Sequence, residues 1–169
     1  MSEKYFGKYR GLVLNNVDPM QMGRLQVQVP DVLSVSISSW AMPCVPLAGQ
    51  QTGAFFLPQI GSGVWVEFEQ GNPDYPIWVG GFWGSAAEVP ALALAAPPAL
   101  PPIVLQTMGQ TTLMLSDVPG PTGGILLKTA TGALLSINET GITLSNGQGA
   151  TIMMNGPTVT VNAGALTIT

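Results

Sequence analysis

Histidine is absent from all 169 residues. Its absence removes Ser-His-Asp and Cys-His arrangements and most zinc sites. A single cysteine, Cys44, excludes an intrachain disulfide. Flanked by Pro43 and Pro46 on an apolar run, it reads as a buried structural thiol. Charge is scarce: 8% of residues carry it against 46% that are hydrophobic, a balance suited to a surface taken up by other chains. No apolar run is long enough for a membrane-spanning helix, which needs about 18 residues. Met1-Ser2-Glu3-Lys4-Tyr5 lacks the apolar stretch of a secretion signal. The acids outnumber the bases by 9 to 5, a net charge of -4, so no electrostatic funnel for nucleic acid is visible. The one close acidic group, Glu67, Glu69 and Asp74, sits on alternate strand positions and a following turn, which is the pattern of a solvated edge. These absences leave no catalytic residue, cofactor site or metal site to nominate, and the expectation is a non-enzymatic structural part.

What is abundant is glycine at regular intervals. From Gly124 onward glycine recurs at Gly132, Gly141, Gly149, Gly156 and Gly164, at spacings of 8, 9, 8, 7 and 8. Between them lie short runs rich in β-branched residues, whose length suits strands rather than helices. Counted from each glycine, the apolar residues fall at odd offsets: Ile125 and Leu127, Leu135 and Ile137, Ile142 and Leu144, Ile152 and Met154, Val159 and Val161. A period of two gives one buried face. The reading is that such strands have no lateral partner in their own chain and bury this face only by winding with identical chains around one axis. Glycines would take the corners, and the ten residues would form the core of an obligate oligomer.

The chain divides into three parts on composition. Residues 1–84 hold four of the five basic residues, Lys4, Lys8, Arg10 and Arg24, and six of the nine acids. Five strands are expected there, near 8–15, 23–29, 39–45, 63–69 and 76–83, with Val64, Val66 and Phe68 facing the core and Trp65, Glu67 and Glu69 facing outward. Five short strands without a convincing helix suggest a small closed barrel. Residues 85–102 are an Ala/Pro tract that reads as an extended, semi-rigid linker. Residues 103–169 hold the repeat. Trp65, Trp78, Phe82 and Trp83 could stack bases in a barrel of this type, but the acidic balance favours core or protein contact over nucleic acid.

Several ordered motifs in the first part carry a resemblance. Tyr9-Arg10-Gly11-Leu12-Val13, Asn15-Asn16-Val17-Asp18-Pro19, Gly23-Arg24-Leu25-Gln26-Val27, Trp40-Ala41-Met42-Pro43, Ile60-Gly61-Ser62-Gly63-Val64-Trp65 and Asn72-Pro73-Asp74-Tyr75-Pro76 follow one another as they do in the OB-fold domain of phage baseplate assembly protein V. Nearly all of residues 8–84 resembles that family, which includes the T-even phage central spike and type VI secretion spikes. The glycine-spaced tail is similar to the family's trimeric β-helix needle.

The resemblance implies an all-β chain, with an N-terminal OB-fold barrel followed by a C-terminal intertwined trimeric β-helix. Its implied function is the central spike of a contractile phage tail or phage-like injection system, assembled in the bacterial cytoplasm and driven mechanically through a target envelope. Implied partners are a trimeric hub at the barrel end, with Lys4, Lys8, Arg10 and Arg24 as candidate contacts, and a separate PAAR-type tip protein on the last strand, Ala165, Leu166, Thr167, Ile168 and Thr169. T-even spikes insert a lysozyme domain between barrel and needle; here only the Ala/Pro tract intervenes, so that activity is not expected. Some short spikes close the apex with a His-x-His iron site, which a chain without histidine cannot build. The alternative is a trimeric receptor-binding or adhesin-like fibre. The pattern running to Thr169 without a distinct head favours the spike.

Overall fold

A computed structural model describes residues 3–168. The chain separates into two compact units, Met1–Ala86 and Ala87–Thr169, whose regular elements are mostly strands.

The first unit contains β1 (Tyr9–Asn15), β2 (Gln26–Gln28), a helical turn α1 (Pro30–Leu33), β3 (Met42–Pro43), the short β4 (Ala48–Gly49) and β5 (Thr52–Gly53), β6 (Gly63–Phe68) and β7 (Pro76–Phe82). The main sheet runs β2-β1-β6-β7-β3, antiparallel except where β3 lies parallel to β7. Leu25 and Ala41, just before β2 and β3, exchange both backbone hydrogen bonds (3.1 and 2.7 Å), and Gln28 bridges Ile37. These contacts join the two edges and close the sheet into a barrel, leaving no free central edge. Alternation fills it: Val13, Leu25, Val27, Val29, Ala41, Val64 and Val66 are fully buried, and Phe68 and Trp78 nearly so. Val64, Val66 and Phe68 thus face inward as their period predicts, and Trp65 and Glu67 stand on the other side. Trp78 is a core residue whose indole N–H donates to the Gly23 carbonyl at 3.0 Å, so it is not free to stack on a ligand.

Cys44 departs from its expected place. Its side chain is exposed, because its backbone N–H is pinned to the Trp78 carbonyl and the next residue, Val45, packs on the core instead.

The second unit opens with a helical turn, α2 (Ala91–Leu94), inside the Ala/Pro tract. Residues 97–100 follow as a turn closed by Leu100 N–H to the Pro97 carbonyl, so the tract is less extended than its prolines suggest. Eight strands follow: β8 (Ile103–Gln106), β9 (Thr112–Ser116), β10 (Gly124–Lys128), β11 (Leu134–Asn138), β12 (Gly141–Ser145), β13 (Thr151–Asn155), β14 (Thr158–Val161) and β15 (Leu166–Ile168). Each pairs with the next in a continuous antiparallel meander.

This corrects one part of the sequence reading. The strands do have lateral partners in their own chain. The segments between the strands are hairpin turns, and antiparallel strands can be joined by two to five residues. The internal strands are therefore paired on both sides within one chain, while one side-chain face stays partly exposed.

Candidate interaction surfaces

The antiparallel register arranges the needle residues in two rows. Ile103, Leu115, Ile125, Ile137, Ile142, Met154 and Val159 are successive cross-strand partners, and so are Leu105, Leu113, Leu127, Leu135, Leu144, Ile152, Val161 and Leu166. All ten residues nominated as needle core lie in these rows, on one face of the sheet. The strand residues between them, Ser136, Thr143 and Thr160 among others, belong to the opposite face, where Ser136 pairs with Thr143 and Thr160 with Met153. Cross-strand aliphatic pairs stabilise a sheet, yet this face stays partly open to solvent. Ile125, Leu127, Leu144, Ile152 and Met154 each remain 40–44% exposed. Full burial of such a side chain is worth roughly 1.5–3 kcal/mol, and a single chain realises only part of that. An apolar face of this extent marks an interaction site.

The turns at one border of the sheet share one construction. Thr107, Thr129 and Asn146 donate their backbone N–H to the carbonyls of Thr111, Ala133 and Ala150 at 2.9–3.1 Å. Their side chains reinforce the turn: Thr107 Oγ1 accepts from Thr111 N–H, Thr129 Oγ1 donates to the Ala133 carbonyl, and Asn146 Oδ1 accepts from Ala150 N–H. At the opposite border, Glu139 Oε2 accepts from Gly120 N–H at 2.7 Å and Asn138 donates to the Pro121 carbonyl, tying the loop 117–123 to the β11–β12 turn.

The four basic residues nominated for docking are not equivalent. Lys4 is exposed. Lys8 forms an ion pair with Glu67. Arg10 lies over the rings of Trp65 and Phe82, at 5.0 and 4.8 Å from their centroids, a geometry that keeps its guanidinium outward and held by cation–π attraction. Arg24 is turned inward: Nη2 reaches Asp18 Oδ1 at 2.6 Å, Nε contacts both carboxylate oxygens, and the guanidinium rests on Trp40. The Asp18 carboxylate also accepts the backbone N–H groups of Met20, Met22 and Arg24. The Arg24 guanidinium, aided by these amides, holds Asp18 well below the usual carboxylate range against the opposing effect of burial, and Asp18 in turn raises the pKa of Arg24. Sequence reading missed this pair. The signal available was an Asp before Pro19 with an Arg six positions on, bracketing a turn.

At the end of the chain Ala165 and Leu166 are exposed, and β15 is a border strand carrying one partner, β14. The backbone of Thr167 pairs with Thr160 and that of Ile168 with Val159; Thr169 lies outside the described residues. Among the described residues no cluster of three or more His, Cys, Asp or Glu side chains could hold a metal ion, and no helix is long and apolar enough to cross a membrane.

Two family models match the chain, one within each unit. A family model described as the type VI secretion system/phage-baseplate injector OB domain matches residues 9–83. A second, described as the phage baseplate V C-terminal trimerisation domain, matches residues 102–167. No curated protein matches the chain.

Proposed function

We propose, since this chain belongs to the phage baseplate V family of injector spike proteins, that three copies form a rigid spike, docked by their barrels on a trimeric hub and carrying a separate tip protein through a target envelope. The observation that carries the reading is the pair of apolar rows on the β8–β15 sheet, left half-exposed in one chain and lying within the matched trimerisation domain. Three such faces turned toward one axis would remove each other from water, with Ile125, Leu127, Leu135, Ile137, Ile142, Leu144, Ile152, Met154, Val159 and Val161 inside.

The work assigned to the spike is mechanical rather than catalytic. Eight strands at about 4.8 Å spacing give a sheet on the order of 34 Å long, in which every internal strand is hydrogen-bonded on both sides. Bending or shearing it breaks many backbone bonds at once. The segment 119–169 carries only Lys128 and Glu139 as charged side chains, which keeps the desolvation cost of passing an apolar layer low.

Hub docking is assigned to the barrel, with Lys4, Lys8 and Arg10 as outward candidates and Arg24 acting through the loop it braces. Tip binding is assigned to Ala165–Thr169, where a border strand and the apolar Leu166 are available to another chain. The alternative, a trimeric receptor-binding or adhesin-like fibre, shares the trimer and differs in its attachment. The deciding experiment is purification of contractile particles from cells with and without this chain. Particles that lack it should assemble without a spike and fail to puncture target cells. Particles that keep full puncturing activity and lose only adsorption would show the fibre instead.

A further inference from the structure

Two loops meet at one end of the barrel. Asn16 Nδ2 donates to the Pro58 carbonyl at 3.0 Å, and Gly23 lies against the Phe55 ring, which a Cβ there would meet at 3.2 Å. Together they display Val17, Met20, Met22, Phe55, Phe56 and Ile60, each 41–73% exposed. The patch is also uncharged. Residues 32–66 contain no Asp, Glu, Lys or Arg, and in the loop 14–23 the sole charge is Asp18, buried and neutralised by Arg24. The loop is rigid by construction, since one carboxylate collects three backbone amides and a guanidinium. Methionines held out into solvent on a braced loop, beside phenylalanines on a second loop tied to it through Asn16 and Pro58, are pre-organised for burial, which lowers the ordering cost of association.

We propose that this patch is where the barrels of the three copies meet, so that the trimer is closed at its base as well as along its needle. The proposal rests on the trimer reading given above. Two observations select a second copy over another partner. The first is charge: around a threefold axis identical groups approach one another, which the uncharged patch permits without repulsion. The side bearing Lys8, Arg10 and Glu67 would bring like charges together there. The second is tethering. With residues 102–167 matching a trimerisation domain, three barrels are joined to one another through the short segment that follows Ala86, and such a connection gives an effective concentration on the order of millimolar. At that concentration even a weak apolar contact is occupied, and homomeric interfaces are the more apolar class.

The test uses the full chain with a photo-crosslinking benzophenone amino acid at Phe56, in a second variant at Leu47, whose carbonyl accepts from Ala54 N–H beside the patch, and at Glu69, outside the patch, as a control. The mass of each variant is measured by light scattering before irradiation. The expected result is a trimer in which Phe56 crosslinks efficiently to residues 12–23 or 44–62 of another copy, with at least tenfold lower yield from Glu69. A trimer that gives no crosslink between barrels from either Phe56 or Leu47 overturns the proposal and leaves the trimer reading standing. A monomer overturns both. Equal crosslinking from Glu69 also overturns it, because the contact would then not be confined to the patch.

Discussion

Gly141 lies so close to Met154 that a Cβ on the glycine would fall 2.0 Å from the Met154 carbonyl oxygen. Gly124 has the same relation to the carbonyl of Ile137, also at 2.0 Å. In both cases the glycine opens a strand and the carbonyl belongs to the strand paired with it. The φ angles are positive as well, +140° at Gly141 and +79° at Gly124, so a side chain would meet both a steric and a conformational penalty.

Gly141→Ala is therefore expected to cost more than the ~1 kcal/mol typical of alanine in a left-handed conformation, because the backbone of β13 must move. Gly156→Ala is the matched control: its φ is +53° and nothing lies within 4 Å of the added atom. Thermal unfolding should rank Gly141→Ala well below Gly156→Ala. Equal melting temperatures would show that the β12–β13 contact yields without cost.

The two faces of the sheet should respond in opposite ways to charge. Ile152→Asp or Val159→Asp places a carboxylate in the apolar rows, three times over in a trimer, at several kcal/mol per desolvated ion. Thr143→Asp and Thr160→Asp place it on the other face. Light scattering should show the first pair unable to form trimers and the second pair trimeric. Trimers from all four would mean the apolar rows are not the threefold interface.

Asp18 gives the barrel an acid-sensitive brace. Its carboxyl titrates below the ordinary aspartate value of 3.8, so the folded state binds its proton less readily than the unfolded chain does. The stabilisation is fully present above about pH 4 and is lost as pH falls through the lower, folded value. Asp18→Asn should lower the melting temperature at pH 7 and flatten the fall in stability between roughly pH 4 and pH 2. A variant with the same acid profile as the parent chain would exclude Asp18 as the source.

Removing Leu166–Thr169 should abolish capture of a tip protein and leave the trimer assembled, since β8–β14 keep all ten nominated core residues and only Leu166 is lost from the two rows. Co-purification with the tip protein, followed by light scattering on the truncated chain, checks both halves. Retained tip binding would move the attachment elsewhere.

The strands of both units were legible because their alternation is strict. Val64, Val66 and Phe68, or Ile142 and Leu144, cannot change faces without burying their polar neighbours. Strand partners were less legible. A run of five residues such as Thr151–Asn155 reads the same whether it pairs with its own chain or another, and only turn geometry distinguishes the two. Arg24 shows a different limit: position in the sequence made it one basic residue among four, while its inward path depends on where Asp18 sits in three dimensions. The short β4–β5 hairpin was missed because Ala48-Gly49 and Thr52-Gly53 carry no apolar period at all. The exposed thiol of Cys44 escaped for a related reason, since in an apolar run either of two neighbours can take the inward position.

The meander fixes how length can be inherited in this molecule. The glycines mark intervals of one strand, but the structure repeats after two: Gly124 with Ile137 recurs as Gly141 with Met154, each displaced by 17 positions (124 to 141, 137 to 154). Removing a single strand would carry the chain to the opposite border and exchange the two kinds of turn for everything downstream. Removing or adding a hairpin would leave every later residue on its own side. Spike length is thus quantised in hairpins of about 9.6 Å, twice the strand spacing, and lineages that lengthen or shorten it should differ by whole hairpins, with intermediate sizes missing.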